Sequence, residues 1–561
     1  MKRYLFISRS VLLAAALIML GSCKDTFDEH YSFKETESKY PVAKIAETLE
    51  GIDGYSKFYE ALRTTKTCDK KGVPQKTTFL DLLLEDQFMT VFAPSDASIN
   101  DWSLYTKRDK TAAEHLEVGE KFLKNHIARF KHSVGANKTK VLMLNGKIYY
   151  VGPDDVEGNK YHGDDKNIRC SNGVLHCING NIAYLPNLYE FLTTDPDYKE
   201  MLGDWLKSFT VEELDPFESV SIGLNEDGEI VYVDSVTYES NRLMNTYGRI
   251  MVEDSTYALV LPTKALWDTV YQRISKSFVY AEAGENNDSL QEYYTRTTML
   301  TDMFFNINPR VQRYLPDSVF STLYSAAENR EEGRAYHIFS QPYNTTNGIF
   351  GSAVDTIRCS NGKIYVIDNW PFADTLSYLR TIKLEGEAID NLPEFTCMRY
   401  PVDIIGTDTL NQAVDVMRIK NPDQKGWKAK IDLYDNLKGK YDVKIVIAPN
   451  SDDKMPNYLH PTVSYTLPNG DVETLLDSTW VEDVELFPGM FIPQPFSYYI
   501  INDMSKLDTI DIGVIDVPYC NYDMLKPRLA VSLQSGVNER NSSKYSYELW
   551  LDCIILEPIV E

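Results

Sequence analysis

Two spacings of apolar residues divide this chain. Near the start of the ordered pattern, "PVAKIAETLEGIDGYSKFYEALRTT" places Ile45 and Leu49, then Phe58 and Leu62, four residues apart. That spacing lines one face of a helix, and "GIDG" separates two of them. A third helix is expected over 111–132, "TAAEHLEVGEKFLKNHIARFKH". Between these helices, residues 88–92 of "FMTVFAPSDASIND" form a short apolar run that Pro94 should stop. Ser95 or Asp96 is then placed to cap a following helix. "KVLMLNGKIYYVG", 140–152, predicts a hairpin turning at Asn145-Gly146. "NIRCSNGVLHCINGNIAYLP" predicts a second, turning in left-handed geometry at Asn172-Gly173. Beyond about residue 395 the helical spacing gives way to alternation, as in "WKAKIDLYD", "GKYDVKIVIAP", "IDIGVIDV" and "YSYELWLDCIILEP". This stretch, 395–561, predicts an antiparallel β-sandwich.

The chain repeats itself. "IRCSNG" occurs at 168–173 and again at 357–362, 189 residues on. "LEDQFMTVFAPSDASIND", 84–101, aligns with "VEDSTYALVLPTKALWDT", 252–269, at an offset of 168. Two landmarks in the same order mark a duplicated domain, with 21 more residues between the landmarks in the second copy. Cys170 and Cys359 then occupy equivalent places in two domains and need not meet. Asn361 and Gly362 take the places of Asn172 and Gly173.

The first copy resembles the fasciclin domain. Its motifs are "TVFAPSDAS" with Pro94 and Asp96, the helix histidine His126 in "LKNHI", and "NGVLHCIN" with Asn172, Gly173 and His176. The second copy departs from the pattern, with Lys264 in place of Asp96 and Tyr365 in place of His176. It is similar to a diverged member of the family. The resemblance implies a multidomain α+β architecture of two tandem fasciclin-like domains, each a β-sandwich or wedge with helices, at 41–192 and 193–380. An all-β, jelly-roll-like sandwich follows. It also implies an adhesive role. No HExxH or other carboxylate–histidine pattern accompanies His126 and His176, so a hydrogen-bonded structural role is expected for both, with no metal site.

Charge and the first residues add a location. The net charge of −25 excludes a nucleic-acid partner, which requires a basic footprint. Lys2, Arg3 and Arg9 precede the ten apolar residues "VLLAAALIML", too few to span a bilayer, and then "LGSC". This order resembles a bacterial lipoprotein signal, with residues 1–22 removed, Cys23 acylated and 23–40 a tether. The acidic "KDTFDEH" that follows resembles the surface-export signal of lipoproteins in Gram-negative bacteria with starch-utilisation-type glycan systems. Outer-membrane anchorage facing the medium is expected. Seven cysteines remain besides Cys23, an odd number at irregular spacing, which is no disulfide framework.

Tyrosine is frequent, at 37 residues against 23 Phe and 7 Trp. The Pro-flanked "FPGMFIPQPFSYY" offers Phe491, Phe496, Tyr498 and Tyr499 as an exposed aromatic platform for sugar. Trp550 lies in the most apolar run and is expected in the core. No nucleophile elbow, phosphate loop or dinucleotide fingerprint occurs, so no enzyme activity and no cofactor are expected. The expected function is a surface-exposed, lipid-anchored interaction protein that binds polysaccharide or matrix protein. The alternative is an accessory lipoprotein of a glycan or peptide uptake complex, docked on an outer-membrane transporter.

Overall fold

The computed structural model describes residues 42–69, 71–100, 102–214, 220–224, 230–234, 237–254, 256–281, 285–308, 317–321, 337–389, 399–403, 413–421, 426–477, 479–487, 490–497 and 499–560. The signal segment 1–22, Cys23, the tether 23–40 and Tyr498 lie outside them, as do the side chains of Phe491 and Phe496. The chain divides into two compact units, 1–185 and 186–561.

In the first unit, helices α1 (Ile45–Glu50) and α2 (Ser56–Thr64) precede the buried strand β1 (Met89–Pro94). A short strand β2 (Ile127–Arg129) and the hairpin β3 (Thr139–Leu142) and β4 (Ile148–Val151) follow, with Gly146 at φ +82° in the hairpin turn. The expected helix over 111–132 is shorter. It ends at His126, because Ile127–Arg129 pairs with Met89–Val91 instead. Strands β5 (Ile168–Cys170) and β6 (Gly173–Ile178) complete a sheet of order β2-β1-β6-β5. The two central strands, β1 and β6, are parallel, in register from Met89↔Gly173 to Pro94↔Ile178. Both are buried on both faces, which is why they read as continuous apolar runs rather than alternating ones.

The second unit opens with α3 (Leu188–Thr194) and places β7 (Tyr257–Pro262) before α4 (Lys264–Ser275) and α5 (Glu285–Leu300). Strands β8 (Phe304–Asn306), β9 (Asp355–Cys359) and β10 (Gly362–Ile367) follow. Their order, β8-β7-β10-β9, repeats that of the first sheet. The parallel register repeats too, from Tyr257↔Gly362 to Pro262↔Ile367. A domain boundary at 192 would cut α3, and the structure moves it to 185. The physical reason is that the first amide of α3, Leu188 N–H, is bonded by Asn361 of the second copy.

Among the described residues from 399 on, every regular element is a strand, as the alternation predicts. The β-rich part begins earlier than 395, since β11 (Ile382–Glu385) already pairs with the closing strand, with one 3-10 turn, Gly386–Ala388, after it. β12 (Arg399–Asp403), β13 (Ala413–Lys420), β15 (Gly439–Ile447), β20 (Asp508–Val517) and β22 (Glu548–Pro558) join β11 in a six-stranded sheet. β14 (Lys428–Leu433), β16 (Leu459–Thr466), β17 (Val472–Asp477) and β21 (Leu529–Ser535) make a four-stranded one. β18 (Thr479–Phe487) and β19 (Met490–Ser497) form a separate hairpin. Val443, Ile445, Leu549 and Ile554 of the larger sheet share one core with Ile431, Val463, Tyr465 and Val531 of the smaller. Trp550 is fully buried, but in a second small cluster with Val416 and Ala448.

Candidate functional site

The duplicated "SNG" acts through its asparagine. Asn172 is buried, and its Oδ1 accepts from Ile45 N–H (2.9 Å), the first amide of α1. Its Nδ2 donates to the carbonyls of Leu83 and Glu85, both at 2.8 Å. Asn361 does the same in the second unit, accepting from Leu188 N–H (3.0 Å) and donating to Ile250 O (2.7 Å) and Val252 O (3.1 Å). Each asparagine therefore fastens the opening helix and the loop before the central strand to the sheet. The turn expected at Asn172-Gly173 lies one residue earlier, although Gly173 does take a positive φ of +154°. Ser171 and Asn172 form the loop, and Gly173 is already the first strand residue, paired with Cys170. Gly362 likewise pairs with Cys359. Glycine is required because a Cβ would stand 1.9 Å from Met89 O at Gly173 and 2.1 Å from Tyr257 O at Gly362.

Asp96 caps a helix, but not the one after it. Asp96–Ser98 is a single 3-10 turn, and Ser95 makes no capping bond. The Asp96 carboxylate instead accepts from Lys57 N–H (2.7 Å), Ser56 N–H (3.2 Å) and the Ser56 hydroxyl (2.7 Å) at the start of α2. In the second copy Thr263, the counterpart of Ser95, caps α4 directly through Leu266 N–H (3.4 Å). Lys264 is then free to pair with Glu200 at 3.4 Å. Pro94 ends its strand as expected, opposite Ile178.

His126 and His176 are fully buried, and backbone groups occupy both nitrogens of each ring. His126 donates from Nδ1 to Phe122 O (2.8 Å) and accepts at Nε2 from Ile182 N–H (3.1 Å). His176 has the opposite tautomer. Its Nε2 donates to His132 O (2.9 Å), and its Nδ1 accepts from Asn167 N–H (3.1 Å). Burial holds both well below the ordinary histidine range, at about 4. Neutral rings with both nitrogens engaged have no lone pair for a metal and no proton to exchange with a substrate. Tyr365, in the place of His176, is buried and stacks on Phe350 at 4.6 Å.

Among the described residues, Glu385, Asp552 and Cys553 bring their side-chain ligand atoms within 4.8 Å of one another. Burial, and then the Asp552 carboxylate beside it, push the Cys553 thiol up, so it stays protonated and is a poor metal ligand. Lys383 neutralises Glu385 at 2.6 Å.

Of the platform residues predicted from sequence, Tyr499 is the one whose side chain is described. It belongs to a ladder of three half-buried rings. Tyr499 stacks on Tyr458 (4.2 Å between centroids, 13° between planes), and Tyr458 stacks on Tyr545 (4.7 Å, 20°). The backbone builds the ladder from three distant segments. Leu459 and Ile500 exchange both hydrogen bonds, Gly536 N–H donates to Tyr458 O (2.8 Å), and Ser546 N–H donates to Pro456 O (2.9 Å). Gly536 leaves room for the rings, since a Cβ there would lie 2.4 Å from Tyr499 and 2.6 Å from Tyr458. Polar groups rim the stack. His460 lies beside Tyr499 at 5.5 Å and bonds Asp477 at 3.1 Å, and Asn538 and Arg540 are exposed on the adjoining loop. Tyr458 and Tyr545 escaped the sequence reading, because no spacing connects 458, 499 and 545. Trp427, another aromatic of this region, is buried and donates its indole N–H to Tyr547 O (2.8 Å).

No curated protein matches the sequence. Among solved structures, the chain is similar to a GH26-CBM35 β-(1,4)-mannanase of Podospora anserina, at 13% identity and TM-score 0.15, over 32% of this chain and 28% of that one. It is similar to carbohydrate-binding modules of the β-sandwich superfamily with promiscuous specificity, at 11% identity and TM-score 0.16, over 36% of this chain and 66% of that one. A structure of infectious bursal disease virus, Gx strain, shares 14% identity at TM-score 0.07, over 29% of this chain and 42% of that one. The chain spans less than two thirds of each of these structures, and at such TM-scores none informs the fold or the ligand. The motifs of the first unit are matched directly: residues 54–183 fit the family model of the fasciclin domain.

Proposed function

We propose that this protein is a lipid-anchored, non-catalytic binding protein on the outer face of a Gram-negative outer membrane, adhering to polysaccharide or matrix protein. The observation that carries the reading is the Tyr499–Tyr458–Tyr545 ladder with its polar rim. Half-exposed ring surface beside hydroxyl and amide groups is what the apolar C–H face and the hydroxyls of a sugar require.

The fasciclin domain at 54–183 supports an adhesive role. The repeated strand order, parallel register and asparagine bonds support a second, diverged fasciclin-like domain from residue 186. The shared core of the last two sheets supports a β-sandwich that carries the ladder. Acylation at Cys23 would anchor the chain, each buried methylene adding about 0.8 kcal/mol. No helix among the described residues is long and apolar enough to cross a membrane.

The test is retention of the intact protein on immobilised polysaccharides and on collagen, laminin and fibronectin. Retention on at least one surface, abolished in the Tyr458→Ala/Tyr499→Ala double variant, is expected. Equal retention of the double variant would sink the ladder as the site.

A further inference from the structure

Within the unit 186–561, a cavity of about 420 Å³ lies where the second repeat meets the C-terminal sheets. Seven aromatic rings line it, among them Tyr293 and Tyr522, which are 36% and 41% exposed. Its walls are tied to one another. Cys520 N–H donates to Val279 O (2.8 Å), Lys438 N–H to Ser277 O (3.0 Å) and the Tyr280 hydroxyl to Tyr522 O (3.2 Å). Asp523 N–H donates to the Asp435 carboxylate (2.9 Å), and the Tyr294 hydroxyl bonds Asp523. Such a cavity is formed before any ligand arrives, which lowers the cost of binding.

The polar lining offers hydroxyl groups, which both donate and accept. Thr297, Thr301 and Ser377 donate their hydroxyl protons to the carbonyls of Tyr293, Thr297 and Ala373 at 2.8, 3.0 and 3.1 Å. The Ser377 oxygen keeps its lone pairs for an incoming donor, while those of Thr297 and Thr301 also meet the Tyr247 hydroxyl. Asp435 adds a carboxylate, and Arg380 is the single cation of the lining, so the two charges cancel. Burial raises the Tyr247 phenol to about 12 and lifts those of Tyr294, Tyr378 and Tyr441 as well, so these rings stay neutral. The fitting ligand is uncharged, rich in hydroxyl donors, and has apolar C–H faces for the rings. The volume is near the lower end of the roughly 300–1,000 Å³ usual for small-molecule sites.

We propose that this cavity binds a neutral saccharide of one or two rings, at a site separate from the tyrosine ladder. The choice of sugar rests in part on the glycan-binding reading above, while the cavity itself does not. Titration calorimetry of the intact protein with maltose, cellobiose, mannobiose, lactose and chitobiose tests it. Saturable binding of at least one disaccharide is expected. It should weaken tenfold or more in Tyr522→Ala, and in Ser377→Phe, which fills the cavity without removing a ring. Tyr150→Ala, an exposed tyrosine of the first unit, should bind as the parent does. Absence of saturable binding to all five sugars would overturn the proposal, and so would parental affinity in both cavity variants. Retention on polysaccharide is read separately through the ladder variants, so either site can fail while the other stands.

Discussion

Mild acid should loosen the fasciclin domain through two histidines. His126 and His176 are locked neutral, each with one nitrogen facing a backbone N–H, so a second ring proton would set N–H against N–H. Burial depresses both to about 4, against about 6.5 in an unfolded chain. As pH falls through 6.5, the unfolded state takes up these protons first. Stability is therefore fully present above about 6.5 and is lost progressively down to about 4. The shift gives about 2 kcal/mol per histidine at pH 5, or about 4 kcal/mol for the pair, relative to pH 7.5. That is a large fraction of the roughly 5–15 kcal/mol of a typical domain. Burial also lowers His115 and His132, which adds in the same direction. The depressed carboxyls act in a lower window. Glu114 is held at about 2, chiefly by the Lys107 ammonium, so it loses its contribution only below about pH 4.5. The assay is hydrogen–deuterium exchange of the intact chain between pH 7.5 and 5, corrected for the intrinsic rate and read on peptides covering 89–94 and 173–178. Protection there should fall by two to three orders of magnitude. The His126→Gln/His176→Gln variant should start less stable and vary much less with pH. Constant protection across the window, or an equally steep slope in the glutamine variant, would rule out the two histidines as the source of acid sensitivity.

The two asparagine clasps should act locally. Asn172→Ala should destabilise the first unit by about 2–4 kcal/mol, and Asn361→Ala the second by a similar amount, with exchange in the other unit unchanged. Asp96→Ala should cost about 1–2 kcal/mol and expose the first amides of the helix Ser56–Thr64, whereas Asp96→Asn should lose less, since it keeps an acceptor. Both follow from urea titrations with matched exchange maps. Cys23→Ala should release the protein from membranes on fractionation, and full membrane retention would contradict the anchor.

Legibility in the sequence followed the range of the interaction. The repeat was legible because both copies keep the same residues where a strand must pass close to a neighbour. Gly173 and Gly362 touch the carbonyls of Met89 and Tyr257, and no side chain fits there. The burial of Trp550 followed from the apolar run around it. Tertiary competition was not legible. Capping rules read Asp96 against the next few residues, but its carboxylate reaches back to Ser56 and Lys57. The apolar spacing over 111–132 continued past His126, yet pairing with Met89–Val91 turned Ile127–Arg129 into a strand. Only Tyr499 of the ladder stood in the Pro-flanked segment read as a platform. Tyr458 and Tyr545 join it through backbone bonds among three distant segments. The cavity beside Tyr293 and Tyr522 likewise joins residues more than 200 positions apart.

The most direct test of the binding account is titration calorimetry of the intact protein against the polysaccharide that retains it, with reducing ends counted afterwards. A saturable heat is expected that ends at one equivalent of sites, vanishes in Tyr458→Ala/Tyr499→Ala and leaves the reducing-end count unchanged. A heat that continues at a steady rate while new reducing ends accumulate would contradict it.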